Sequence, residues 1–150
     1  MAEIDQFVIF SVNDQVYGVE ILKIKEVVSY QKITPLPNMK GFIKGIINLR
    51  GVILPVFDLR QKFKLPDTTY TPFHAIIVME ISGRVMGVIV DYISDVVDLF
   101  PEEVQTASNL PRGVQAEYIK GIGKKERELI VLLDVDRLLS PEELEILDAT

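Results

Sequence analysis

The chain has 150 residues, 48% of them hydrophobic and 25% charged, a formal net charge of −6 and no cysteine. That length supports one compact unit with its own core. The acidic balance argues against a phosphate-binding basic stripe, and the missing cysteines exclude disulfides, thiolate metal sites and a cysteine nucleophile.

The opening residues Met1-Ala2-Glu3-Ile4-Asp5-Gln6 are acidic and polar, where a signal peptide needs positive charge and then a long apolar run. No apolar run approaches the ~20 residues that cross a bilayer. A cytoplasmic protein without a membrane insertion is expected. From Phe7 the chain reads as a strand, a polar turn at Asn13-Asp14, and a second strand. Asn and Asp accept the positive φ of tight hairpin turns. A third extended segment follows at about 24–31, and then, after a long connection, a hairpin of 43–49 with 52–57. A short helix near 58–63 closes this half. The segment Leu65–Pro72, proline-bounded and polar, is the expected joint.

Beyond the joint the plan recurs. Val16, Gly18, Val19, Ile24, Val27 and Val28 align without a gap to Val85, Gly87, Val88, Ile93, Val96 and Val97. Asn13-Asp14 aligns to Ser82-Gly83, Ile43-Lys44-Gly45-Ile46 to Ile119-Lys120-Gly121-Ile122, and Asp58 to Asp134. The second half therefore predicts strands at about 92–100, 119–124 and 128–134, with a short helix at 135–139. Five short antiparallel strands per half tend to close into a small barrel, which removes exposed edges. The expectation is an all-β fold of two similar five-stranded barrels, over 1–66 and 70–150. Whether a strand crosses from one half to the other stays open. The chain ends in a helix announced by Ser140 as N-cap, Pro141 at the first position and Glu143 completing a capping box.

Convergent catalytic groups are scarce. His74 is the lone histidine, and a single one at a strand start is usually structural. Asp91, Asp95 and Asp98 suggest a cation site but lack the glycine and alternating ligands of a calcium loop, so a solvated strand rim is favoured. Asp134 and Asp136 read as caps of the short helix. Gly41, Gly45 and Gly51 are too far apart for a phosphate loop. Arg50, followed by Gly51 inside an apolar run, reads as a turn residue. The unusual feature is apolar residues on both faces of strands in VYGVEILKIKEVV and RVMGVIVDYISDVV. Burial between barrels or a bulge explains part of it, and a surface for other proteins explains the rest.

Gly45-Ile-Ile-Asn48-Leu49-Arg50-Gly51-Val-Ile-Leu-Pro55-Val-Phe-Asp58-Leu59-Arg60 resembles the hallmark of the bacterial chemotaxis coupling family, the CheW-like domains. Further stretches agree, in order and over nearly the whole chain. They are the Phe10–Gly18 hairpin with Ile24-x-Glu26-Val27, Ile33-Thr34-Pro35-Leu36-Pro37 before Gly41-Phe42-Ile43-Lys44-Gly45, Gly87-x-x-Val90-Asp91, Ile119-x-Gly121, and Leu132-Leu133-Asp134 with Leu138-Leu139.

The resemblance implies two SH3-like barrels, no catalysis and no cofactor. It implies an adaptor that links methyl-accepting chemotaxis receptors to the histidine kinase CheA in ring or array assemblies, at the inner face of the membrane through the receptors. By the same resemblance, Ile21, Ile24 and Glu26 are expected to meet the kinase's regulatory domain. Val27, Gly45, Arg50, Ile93 and Val96 are expected on the receptor side, in a groove between the barrels that takes a helical receptor tip. The repeat places Val27 and Val96 on opposite walls of such a groove. The rival expectation is a small-ligand-binding or hydrolytic β-barrel using Arg50, His74 and the aspartates, which needs a pocket where these groups converge.

Overall fold

The computed structural model describes residues 4–37, 42–112 and 116–148; Gly41 of the motif above and the terminal Met1, Ala2 and Glu3 lie outside the described residues. β1 (Asp5–Val12) and β2 (Gln15–Glu20) form the opening hairpin, turned through Asn13 and Asp14 at φ of 52° and 64°. β3 (Ile24–Ser29) follows a 3-10 turn over Ile21–Lys23. β4 (Ile43–Leu49) and β5 (Val52–Asp58) turn through Arg50 and Gly51, at φ of 53° and 88°, and lead into α1 (Leu59–Lys62). Arg50 is thus the turn residue that its neighbour Gly51 announces.

The second half repeats the order with β6 (Ala75–Ile81), β7 (Arg84–Val90), β8 (Tyr92–Leu99), β10 (Ile119–Lys125) and β11 (Glu128–Leu133). A three-residue strand, β9 (Val104–Thr106), lies in the long connection, where the sequence pattern gives no strand signal. A 3-10 turn, Val135–Arg137, stands where α1 stands in the first half. α2 (Pro141–Asp148) is capped as expected: Glu143 N–H donates to Ser140 Oγ at 3.1 Å and Ser140 N–H to Glu143 Oε1 at 2.8 Å.

The strands make two sheets, one in the order β3-β6-β7-β5-β4 (barrel 1) and one in the order β8-β1-β2-β11-β10-β9 (barrel 2). Neither sheet follows the halves 1–66 and 70–150, because each takes its opening hairpin from the other half. The links after the hairpins explain this. Asp91 alone separates β7 from β8, one residue fewer than the shortest common hairpin loop. β8 therefore continues outward and pairs with β1. β3 leaves its own hairpin across the three-residue 3-10 turn Ile21–Lys23 and pairs with β6. The repeat carries one sheet order onto the other, with β9 as the extra strand. Its counterpart in barrel 1 is a single bridge between Thr34 and Ile46.

Three cores result. Ile47, Leu54, Val56, Ile76, Val78 and Ile89 fill barrel 1, and Phe7, Ile9, Leu99, Ile130 and Leu132 fill barrel 2. A third, shared core takes Phe10, Val12, Tyr17 and Val19 from one sheet and Ile77, Met79, Ile81, Met86 and Val88 from the other. β6 shows the consequence: Ile76 and Val78 face its barrel while Ile77 and Met79 face the shared core. Apolar residues on both faces of these strands are therefore mostly buried between the barrels. Bulges contribute too. The register shifts between Ile24 and Glu26 in β3, and between Ile93 and Asp95 where β8 meets β1. Ile24 consequently packs on the shared core and Val28 on the barrel core, with Ile93 and Val97 doing the same in β8.

Candidate functional site

The short turn Ile21–Lys23 and the strand after it carry most of the expected contact residues. The turn follows β2 directly, so its side chains spread outward at the place where the chain passes from one barrel to the other. Leu22 at its middle is 93% exposed. Ile21 is half-buried and lines a cavity of about 170 Å³ with Ile4, Gln6 and Leu22. Ile24 is tied into the shared core. Glu26 pairs with Arg50, which reaches across from the β4–β5 turn. The structure thus brings together Glu26 of the expected kinase set and Arg50 of the expected receptor set.

Val27 and Val96 occupy matching places. Val27 stands 45% exposed beside buried Ile77, its cross-strand partner, and Val96 stands 48% exposed beside buried Val8. Ile93 is half-buried on the shared core. Gly45 differs from the other expected contacts because it is buried. A Cβ there would come 2.3 Å from the Thr34 carbonyl oxygen, so glycine is needed for the Thr34–Ile46 bridge to close. Gly121, its counterpart, would meet the Gln105 carbonyl oxygen at 2.6 Å.

A buried polar network stands apart from these residues, where α1 meets the opening hairpin. Asp58 caps α1 by accepting from Arg60 N–H at 2.8 Å and also accepts from the Tyr70 hydroxyl at 2.5 Å. Burial, and then that bond to Asp58, push the Tyr70 hydroxyl well above its ordinary range. Arg60 donates through Nε and Nη2 to both oxygens of Asp91, at 3.1 and 2.6 Å, and through Nη1 to the Pro66 carbonyl at 2.9 Å. The bidentate bond to Asp91 raises the Arg60 pKa further above its ordinary value. Asp91 also accepts from Asn13 N–H at 2.8 Å, and its own N–H donates to the Ser11 carbonyl. Asp91 is therefore an internal anchor, not the solvated rim residue expected from DYISDVVD.

Asp95 and Asp98 are engaged separately, Asp95 with the Val96 N–H and Asp98 with Gln6. Among the described residues no group of three or more His, Asp or Glu side chains is placed to hold a metal ion. His74 accepts from Thr71 N–H through Nδ1, packs edge-on to Tyr70, and sets Nε2 3.6 Å from Asp91. Arg50 sits on the exposed Glu26 pair instead, so Arg50 and His74 do not converge on one site.

Asp134 caps the 3-10 turn that follows β11, accepting from Asp136 N–H at 3.2 Å. Asp136 has a role that sequence reasoning missed. It accepts from Lys23 Nζ at 2.9 Å and from Ser82 N–H at 2.8 Å, tying the Leu22 turn and the β6–β7 turn to barrel 2. Those two bonds, Lys23 first, hold its carboxyl below the usual carboxylate range. Leu22 was missed as well. The repeat held a signal for both, since Leu22 aligns with Asp91 and Asp136 with Arg60. A further apolar groove of about 350 Å³ lies between Leu36, Ile46, Ile53, Pro55 and Val85 of barrel 1 and Leu147 of α2.

Comparison with known proteins places this geometry. A CheW-like domain model matches residues 6–143. The chain is 38% identical to the chemotaxis protein CheW of Klebsiella aerogenes over 143 residues, covering 95% of this chain and 86% of that protein. It is 33% identical to the chemotaxis protein CheW of Bacillus subtilis over 141 residues, covering 92% and 88%. The crystal structure of the scaffolding protein TtCheW from Thermoanaerobacter tengcongensis superposes with a TM-score of 0.83 at 30% identity, covering 94% of this chain and 97% of that one.

Proposed function

The chain belongs to the CheW-like domain family, and on that premise we propose that it is a non-enzymatic adaptor coupling chemoreceptors to the histidine kinase CheA. It works in the cytoplasm, held near the membrane by the receptors, in ring or array assemblies with the kinase. The observation that carries this is the segment Ile21–Val27, which turns Leu22 and Val27 outward while Ile24 is fixed in the shared core and Glu26 is fixed by Arg50. Apolar side chains left exposed at a surface suit protein docking, because covering them removes apolar area from water. No helix among the described residues is long and apolar enough to cross a membrane.

The kinase's regulatory domain meets Ile21, Leu22, Ile24 and Glu26. The helical tip of a receptor meets Val27, Ile93 and Val96, with Arg50 at the edge; an apolar groove needs few polar contacts to hold a helix. Gly45 acts from beneath by letting the Thr34 bridge close. Calorimetry with a CheA regulatory domain and a receptor cytoplasmic fragment tests this. Leu22→Glu should lose the kinase domain and keep the receptor fragment, and Val96→Glu should do the reverse. A swapped loss, or the same loss in both, refutes the two-face assignment. Arg50→Ala should lower kinase control in a reconstituted receptor assembly while leaving the melting temperature nearly unchanged, because its ion pair is exposed.

A further inference from the structure

We propose that the two barrels pivot about the Arg60–Asp91–Asn13 cluster and part at the Lys23–Asp136–Ser82 cluster, so that a protein seated on the Leu22 turn shifts one barrel against the other. The role of the seated protein rests on the adaptor reading above; the pivot does not.

The two clusters occupy equivalent places in the repeat. Asn13 corresponds to Ser82, Arg60 to Asp136, and Asp91 to Leu22, whose neighbour Lys23 supplies the charge. Each joins the short helix or turn after the last strand of one barrel to a hairpin turn of the other, at a point where the chain crosses between them. Their strengths differ. In the first, the Arg60 and Asp91 side chains are 11% and 18% exposed, and the contact is bidentate. Parting them would strand a guanidinium and a carboxylate away from water. In the second, Lys23 and Asp136 are 40% and 43% exposed and share one contact, and Ser82 adds an amide bond to the Asp136 carboxylate at 2.8 Å and a hydroxyl bond to its carbonyl at 3.0 Å; all lie at an exposed surface, where water competes for them. A cavity of about 230 Å³ between Lys23, Asp136, Glu20 and Lys120 gives the turn room to move.

The shared core joins the barrels between the two ties, so the motion is a small rotation about that core, and it opens first at the weaker tie. Lys23 is the last residue of the turn that presents Leu22, so a partner gripping Leu22 acts on the weak tie directly. That supplies the differential contact between closed and parted states that any coupling requires.

The absence of cysteine allows two spin labels without background in this chain. Val52→Cys and Glu128→Cys are exposed, equivalent positions on the two barrels. Lys23→Met should broaden the label-to-label distance distribution. About 0.5 M salt should do the same to the parent and add nothing to the variant. The Ser82 amide should exchange about fivefold faster in Lys23→Met, with the Asn13 amide unchanged. A distribution that stays narrow in Lys23→Met, or equal loosening at Asn13 and Ser82, overturns the pivot. Adding a CheA regulatory domain should shift the distance in the parent, and Leu22→Glu should abolish the shift. Binding without a shift overturns the coupling. Failure of the parent to bind overturns the adaptor reading, while the free-chain measurements still decide the pivot.

Discussion

The two joints between the barrels sit at equivalent points of the repeat and are built with opposite polarity. At one, the cation is Arg60 in the helix α1 and the anion is Asp91 on the crossover. At the other, the anion is Asp136 in the 3-10 turn and the cation is Lys23 on the crossover. The backbone symmetry dictates where a tie between barrels is needed: a hairpin turn, a crossover and a strand end meet there in each case. It does not dictate the chemistry of the tie. One site has become a buried, bidentate lock and the other an exposed tie of one ion pair and the Ser82 bonds to Asp136, so a nearly symmetric scaffold has a stiff side and a soft side.

The largest effect should come from breaking the lock. Asp91→Ala leaves Arg60 buried without its partner and Asn13 N–H without its acceptor, and should cost about 3 kcal/mol or more in urea unfolding. If it costs no more than Lys23→Met, the joints are equal and the contrast fails. Gly45→Ala and Gly121→Ala come next, at roughly 1–3 kcal/mol each in the same measurement, because both press a Cβ onto a carbonyl oxygen. A milder cost for Gly45→Ala would show that the single Thr34 bridge yields where β9 does not. The smallest loss is that of Lys23→Met, below about 1 kcal/mol and absent at high salt. Its pH signature is specific. The Asp136 pKa is lowered in the folded state, so its contribution is present above the ordinary carboxylate range and is lost as pH falls through the folded value. Below about pH 4 the parent should therefore lose stability more steeply than Lys23→Met, in urea titrations at stepped pH.

The strands, their turns and the repeat were legible in the sequence because they are local. Alternation, the pairs Asn13-Asp14 and Ser82-Gly83, and the Ser140 capping box each act within a few residues. The exchange of hairpins was not legible. Val27 and Val96 read alike whether β3 and β8 pair within their own half or across to the other, since the register needs only an apolar partner. β9 escaped because Val104-Gln105-Thr106 has neither the length nor the alternation of a strand and is held by pairing to β10. Arg60 and Asp91, and likewise Lys23 and Asp136, read as ordinary surface charges because each partner lies far along the chain. The surface turn that carries Leu22 was half legible: its apolar excess was visible, its exposed leucine was not.

The borrowed hairpins also impose an order on the birth of the molecule. β2 belongs beside β11, pairing Tyr17 with Val131 and Gly18 with Leu132, so the β1–β2 hairpin waits for the last of the eleven strands among the described residues. Until then Phe7 and Ile9, buried in the finished protein, lack Ile130 and Leu132, two of the neighbours that fill their core. Barrel 1 can close once β7 has emerged, whereas barrel 2 closes only after β11 has followed. Pairings this distant in sequence form slowly and leave apolar strands open to wrong partners meanwhile. The nascent chain, rather than the folded adaptor, is where this architecture is most exposed to aggregation.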